Sequence, residues 1–373
     1  MKIVFANDLI YAYATNAPSA IGGAERQQWL LAHGLAAAGW DVAIGVRTGL
    51  AFNQRAHIEG VEFVGIGQKQ FLLAWYGFII SERPDWCYWR CATHLLGPIL
   101  GIAKMRGVRS IFSVAFDRDV DIRHALFLRP RWWPLYALGL FLSDRIFVQN
   151  EKQLSDLPPK LRTKASVVPS ITVETQTWKP HAVRAKYVAW VAMFRQSKRP
   201  DVLVEIARKA PDIRFVVCGG PTSYTAAPDY GEQIANALRN LPNVEYRGQV
   251  SPDEATRIIA DAAVFLSTAD EEGFPNTFLQ AWATGTPVIT LRVDPDRVIE
   301  RYRMGKRSLS VEQAIDDLRV LLDSDEEREA ISARSRAYIA KNHSAPAVIK
   351  IFEHGIRCAI REPALQSHSG RAI

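Results

Sequence analysis

Apolar positions fall in two rhythms along this chain. Short runs rich in β-branched and aromatic residues read as strands: "KIVFAN", "DVAIGVR", "DWCYWR", "SIFSVAF", "RIFVQN" and "SVVPS" in the first half, then "YVAWVAMF", "IRFVVCGG", "VEYRGQV", "AVFLSTA" and "PVITL". Between them lie stretches whose apolar residues recur near every 3.6 positions, such as "AERQQWLLAHGLAAAG", "RPDVLVEIARKA", "YGEQIANALRNL", "SPDEATRIIADA" and "PNTFLQAWATG". Most close with Gly or break at Pro, as helices do. Such alternation predicts parallel sheets with helices on both faces. It occurs twice, before about residue 170 and after about residue 186, and the polar "TVETQTWKPHAVRAKY" between is read as a connection. The expected architecture is therefore α/β, with two doubly wound parallel-sheet domains facing each other across a cleft. Their expected bounds are 1–175 and 186–345, followed by a helix over 346–362 and a flexible tail over 363–373.

A length of 373 residues suits two domains, and the apolar and charged fractions of 48% and 23% are ordinary for a globular protein. The start "MKIVFANDLIYAY" has too short an apolar core for a signal peptide and reads as a first strand. The longest apolar runs, "FLLAWYGFII" and "LYALGLFL", fall short of the roughly 20 residues that span a bilayer. Four cysteines (Cys87, Cys91, Cys218, Cys358) make no disulfide framework, and Cys87 and Cys91 lack a second ligand pair for zinc. Reduced thiols in the cytoplasm are the expectation. The net charge of +7 sits mostly in residues 1–170, with 19 Lys/Arg against 13 Asp/Glu. That favours an anionic partner or a merely solvated basic surface. No nucleic-acid module supports a nucleic-acid partner.

Ligands of doubly wound sheets bind at the carboxyl ends of strands, so the loops after strands carry the information. After the first strand, Gly22 and Gly23 open a helix whose bare N–H groups and dipole suit an anion; a plain flexible loop is the alternative. "VAMFRQSKRPD" sets Arg195 and Lys198 where a fork and a point charge can converge on a diphosphate, or stand solvated. Gly219, in "VVCGGPTS", permits a tight turn beside a ligand, and Gly248 precedes Ser251, a helix cap. In "EEGFPNTFLQAWATGTPVI", Glu271 or Glu272 precedes a helix whose first position suits Pro275. Gly273, Phe274 and Asn276 would turn N–H groups, and Gln280 a carboxamide, toward one space. Carboxylate, amide and N–H groups together suit a sugar.

These segments resemble the family 4 glycosyltransferases, which have the GT-B fold of two Rossmann-like domains. The donor-sugar motif, "GGAERQQWLLAHGLAAAGWDVAI", "FRQSKRPDVLVEIA", "VVCGG" and "NVEYRGQVS" agree in order and spacing, over about residues 1 to 357. The resemblance implies that Arg195 and Lys198 hold the donor diphosphate, with Glu272 the third catalytic group. Glu272 and the segment Gly273, Phe274, Pro275 and Asn276, through the N–H groups of its non-proline residues, would meet the sugar. Gln280 would meet the ribose, and the backbone of Gly248, Gln249 and Val250 the base. Gly22, Gly23 and Gly219 would border the donor, and the last helix would return to the first domain. The implied activity is a retaining, metal-independent transfer from a UDP- or GDP-sugar to a saccharide or lipid-linked acceptor, in surface polysaccharide or glycolipid synthesis, with no cofactor.

Two departures stand out. Gln280 replaces the usual second glutamate, a change of about 1 kcal/mol if one charged hydrogen bond becomes neutral. Phe116 stands where many members carry a His, followed by Asp117 and Asp119. Those carboxylates and Arg90 are acceptor-side candidates; two carboxylates are a thin set for a metal, and none is expected. His94 and His124 read as structural. The segment "IRHALFLRPRWWPLYALGLFL" (122–142) mixes Arg123, Arg129, Arg131, Trp132 and Trp133 with apolar residues. It fits peripheral contact with an anionic membrane, at the inner face of the cytoplasmic membrane, or a core helix with a basic end. A catalytically silent GT-B binding or regulatory subunit is the alternative function.

Overall fold

A computed structural model describes residues 1–15, 22–68, 70–126, 129–173, 179–222 and 229–361. The chain forms two compact units, one of Met1–Ile171 with the chain from Ala345 onward, the other of Thr172–Ser344. The expected tail and part of the expected connection, 174–178, lie outside the described residues.

The first unit is built on eight strands: β1 (Lys2–Ala6), β2 (Asp41–Val46), β3 (Arg55–Ile58), β4 (Val61–Gly65), β5 (Trp86–Arg90), β6 (Arg109–Ser113), β7 (Arg145–Val148) and β8 (Ala165–Val167). Their order in the sheet is β3-β4-β2-β1-β5-β6-β7-β8. Strands buried on both faces read as nearly continuous apolar runs, which is why β1, β2 and β7 were legible. Val4 and Ala6 of β1 face a core with Trp75, Leu96, Leu100 and Tyr136, while Ile3 and Phe5 face a core with Leu31, Leu35 and Phe352.

The β3–β4 hairpin, the antiparallel pair of this sheet, was not anticipated. Its turn is Glu59-Gly60, with φ of 47° and 80°. Two consecutive positive φ values suit a two-residue hairpin, but Glu is not a residue that advertises one. Strand β3 is also half exposed, so its apolar signal is weak.

The helix Ala345–Arg361 completes this unit. Phe352 packs edge-on against Phe147 (5.1 Å) and Trp40 (6.2 Å), and the Trp40 indole N–H donates to Glu353 (3.0 Å).

The second unit has six parallel strands: β9 (Ala185–Val191), β10 (Phe215–Cys218), β11 (Val244–Gly248), β12 (Ala262–Ser267), β13 (Val288–Thr290) and β14 (Gly305–Arg307). They lie in the order β11-β10-β9-β12-β13-β14. Val188 and Trp190 of β9 point into one core, Tyr187 and Ala189 into the other, so β9 is a central strand covered on both faces. Edge strand β14 was not read from the sequence; "GKR" carries no apolar signal. Cys87 and Cys218 are buried free thiols and Cys91 is half-buried; the side chain of Cys358 lies outside the described residues. Among the described residues no helix is long and apolar enough to cross a membrane.

Candidate functional site

In the second unit the residues after β9, β10 and β12 form one constellation. The chain leaves β9 through Phe194, a buried ring that packs on Trp190 (5.9 Å) and Tyr246 (5.8 Å). The Phe194 N–H donates to Gly220 O (2.9 Å), which ties this loop to the one after β10. There Gly219 has a φ of +143°, and a Cβ on it would stand 1.8 Å from Ala192 O. Close approach of two backbones thus requires glycine at 219. Gly219 N–H in turn donates to Gly248 O (2.8 Å), bringing the loop after β11 alongside.

Arg195 caps a single 3-10 turn, Gln196–Lys198, and Lys198 ends it. Its position is fixed from outside. Trp190 Nε1 donates to Thr268 Oγ1 (3.0 Å), and the Thr268 hydroxyl donates to Lys198 O (2.8 Å). Asp270 N–H donates to Ser197 O (2.9 Å). Arg199, left-handed with a φ of 48°, forks onto Asp201 and reaches Asp270 (3.1 Å), whose other oxygen takes Arg292 (3.1 Å).

So placed, the Lys198 ammonium meets the Glu272 carboxylate in an ion pair. Burial first, and the Arg195 guanidinium second, pull Lys198 down to about 7. The contact with Glu272 opposes that pull, since an opposite charge favours the ammonium. Arg195, Lys198 and Glu272 therefore come together, with Gly273 next to them in the chain.

Several expected contributors behave differently. The helix begins at Asn276, so Pro275 is its cap, and Pro275 O accepts from Phe278 N–H (3.1 Å) and Leu279 N–H (3.4 Å). Phe274 is buried against Trp282 (6.3 Å) and His343 (5.0 Å), which leaves its backbone as the part a ligand can meet. Gln280 is 8% exposed and its amide donates to Thr256 Oγ1 (2.8 Å). A glutamate could not make that donation, so the exchange of Glu for Gln at 280 matches the hydroxyl beside it. Gln249 is exposed and donates weakly to Pro221 O (3.4 Å); Val250 is half-buried. Ser251 caps the helix Pro252–Asp261 by accepting from Glu254 N–H (3.2 Å).

The remaining candidates belong to the first unit. Gly22 caps the helix Gly23–Ala37 with a φ of +120°, and a Cβ there would collide with the Glu25 carboxylate at 2.0 Å. The preceding residues 16–21 lie outside the described set. Arg90, at the end of β5, donates to Ser113 Oγ (3.0 Å) and, with the Gln149 amide turned to suit Ala115 O, to Gln149 Oε1 (2.9 Å). Asp117 Oδ1 accepts from Gln153 Nε2 (2.9 Å), and Lys152 stands 3.6 Å from its other oxygen. Burial pushes the Asp117 carboxyl up.

Asp119 departs from its expected acceptor role. It is 5% exposed and turns inward, accepting from Ala115 N–H (2.8 Å) and Phe116 N–H (3.2 Å). Burial lifts it to about 6, against those hydrogen bonds. It holds its own turn, while Phe116 is exposed. Among the described residues no three His, Cys, Asp or Glu side chains gather as a metal site.

Residues 185–322 match the family model described as glycosyl transferases group 1. The matched stretch contains every site residue of the second unit, Arg195 through Gln280, and none of the first unit's candidates. A D-inositol 3-phosphate glycosyltransferase from Mycobacterium sp. (strain KMS) is 30% identical over 178 residues, 43% of this chain and 40% of that protein. The chain thus aligns with about two fifths of the length of such relatives. Sucrose-phosphate synthase from Thermosynechococcus elongatus superimposes on 96% of this chain and 99% of its own, with a TM-score of 0.75 at 13% identity. Anabaena Alr3699/HepE in complex with UDP and glucose covers 96% and 99%, with a TM-score of 0.69 at 13% identity. The fold is that of the GT-B glycosyltransferases.

Proposed function

We propose that the chain is a glycosyltransferase that moves a sugar, with retention, from a nucleotide-sugar donor to a saccharide or lipid-linked acceptor. The observation that carries this reading is the meeting of Lys198 and Glu272 after β9 and β12, inside the stretch that matches the group 1 model. Arg195 and Lys198 would hold the diphosphate, and Glu272 with the N–H groups at Gly273 to Asn276 the sugar hydroxyls. The structure of Alr3699/HepE with UDP and glucose supports a nucleoside-diphosphate ligand for this fold.

In the reaction the bond from the anomeric carbon to the diphosphate oxygen breaks, and the acceptor oxygen bonds to that carbon on the same face. The acceptor's proton passes to the departing phosphate oxygen. Side-chain cations set in place beforehand stabilise the charge that grows on the leaving group, without reorganising at the moment of reaction. Arg90, the last residue of β5, and Asp117, after β6, are the acceptor-side groups in this proposal.

A lipid-linked acceptor draws support from the first unit's outer helices. Leu73, Tyr76 and Ile80 of the helix Phe71–Glu82 are exposed, as are Met105, Trp132, Trp133, Leu138 and Phe141. Arg123 lies over the Trp133 ring (5.8 Å). Exposed apolar and Trp side chains beside cations suit an anionic membrane interface. Part of this segment, residues 127 and 128, lies outside the described set.

The deciding experiment incubates the purified chain with a panel of UDP- and GDP-sugars and measures release of nucleoside diphosphate. Release that Lys198→Ala abolishes supports an enzyme. Donor binding without release, across acceptors, would instead assign a silent binding subunit. Co-sedimentation with anionic liposomes at low salt tests the membrane contact, and no binding there ends it.

A further inference from the structure

The second unit carries another basic recess that shares no residue with the donor loops. It opens over the first residues of β9 and β10, whereas Arg195 and Gly219 follow their last residues. Its volume is about 650 Å3, within the range of small-molecule sites. Five cations line it, Lys179, Arg184, Arg214, Arg247 and Arg257, against two acids, Glu254 and Asp261.

The internal pairing leaves charge over. Asp261 engages Lys179 (2.7 Å), and Glu245 is shared by Arg214 and Arg247 (2.7 Å each). Glu254 stands 3.8 Å from Arg247. Arg257 has no acidic partner among the described residues; its Nε points at Asp253 O of its own helix, a long 3.4 Å. Arg184 spends its guanidinium on neutral oxygens: Lys179 O (2.7 Å), Thr286 Oγ1 (2.9 Å) and Thr284 O (2.6 Å). None of these partners is a carboxylate, and burial lowers Arg184 to about 10. The apolar part of the recess is Tyr187, Val216 and Ile258, with Arg214 over the Tyr187 ring (6.0 Å).

We propose that this recess binds a compact phosphate-bearing anion, separately from the donor loops. Planar guanidinium forks match phosphate oxygens, and several converging on one volume favour a multiply charged ligand over a single carboxylate. The anion can be a free phosphate compound or a phospholipid headgroup.

The test uses the full chain in an Arg195→Ala/Lys198→Ala background, which removes the donor-loop cations. Calorimetry with tripolyphosphate should still show binding that weakens with salt. Adding Arg247→Ser and Arg257→Ser should weaken it at least about tenfold, since two charge-assisted contacts are lost. Circular dichroism confirms that the variants remain folded. No binding in the first background, or binding indifferent to the two serines, overturns the proposal. Capture on phosphatidic acid vesicles through the same arginines makes the source a headgroup; tripolyphosphate binding without vesicle capture makes it a free anion.

Discussion

Replacing Glu272 by Gln should tighten nucleoside-diphosphate binding at low pH and lose that gain at high pH. In the ligand-free chain Glu272 occupies the ammonium that a diphosphate would need. Losing that competitor frees one charge-assisted contact, worth about 1.5–3 kcal/mol, or roughly 10- to 100-fold tighter binding. The same carboxylate keeps the proton on Lys198. Lys198 stands at about 7 with the carboxylate in place, and without it burial and Arg195 act unopposed and push the ammonium lower still. A lysine with a lowered pKa is charged below that value and loses its charge above it. With a pKa of about 7 the parent's free ammonium is about nine tenths charged at pH 6 and a few per cent charged at pH 8.5, roughly a 30-fold loss of the binding form, and the variant's falls at lower pH. The variant should therefore bind UDP more tightly than the parent at pH 6 and lose that advantage by pH 8.5, while transfer should fall at every pH because the proposed sugar contact of Glu272 is removed. Titration calorimetry with UDP on both proteins, from pH 6 to pH 8.5, reads this directly. Parallel pH profiles, or weaker UDP binding by the variant at pH 6, would refute the exchange.

Thr268→Val cuts the Trp190–Thr268–Lys198 chain without changing volume much; kcat should drop about tenfold, with a stability loss of about 1–2 kcal/mol from two hydrogen bonds, checked by steady-state kinetics and thermal melting. Gly219→Ala puts a Cβ against Ala192 O at a positive φ and should cost on the order of 2–3 kcal/mol, seen as a lower Tm with β9 and β10 forced apart at their ends. For Asp119 the folded pKa is raised to about 6, so the folded chain holds this proton more tightly than the unfolded one, and the group's contribution is full below about pH 4 and lost as pH rises through 6. Asp119→Asn should flatten that fall, about 3 kcal/mol between pH 4 and pH 7 in denaturant melts, and an unchanged slope would remove Asp119 as its source.

Local patterns made most of the second sheet legible. Val188, Trp190, Val216 and Val264 alternate or run together in short stretches because their strands are covered on both faces. Ser251 was readable as a cap because capping is a contact three residues long. Contacts across the fold left no such mark. The Thr268 hydroxyl reaches a carbonyl 70 positions back, and Thr256 answers Gln280 from a neighbouring helix. Each is a common residue whose partner is decided by topology. Asp119 was misread for the opposite reason: a carboxylate beside a strand end looks functional, yet its two nearest donors were the N–H groups of its own turn. The N–H groups three and four residues before a turn carboxylate are the first to test, since such local bonds compete with any ligand.

The donor loops suggest why the pairing of Lys198 with Glu272 can be temporary. Backbone and hydroxyl groups hold the Arg195–Lys198 turn from three directions: Gly220 O, Thr268 Oγ1 and Asp270 N. None of these involves the Lys198 ammonium. Nor does the fork of Arg199 onto Asp201 and Asp270, which fixes the start of the next helix. If the turn depended on Glu272 for its shape, a ligand that displaced the carboxylate would also loosen the cation it needs. Because the turn is held elsewhere, displacement asks for the movement of one side chain, and the ammonium stays where the phosphate arrives. Preorganisation of this kind lowers the cost of binding and keeps the cation oriented for the leaving group. It also separates two classes of substitution in this loop: changes at Thr268 should act through position, and changes at Glu272 through competition and charge.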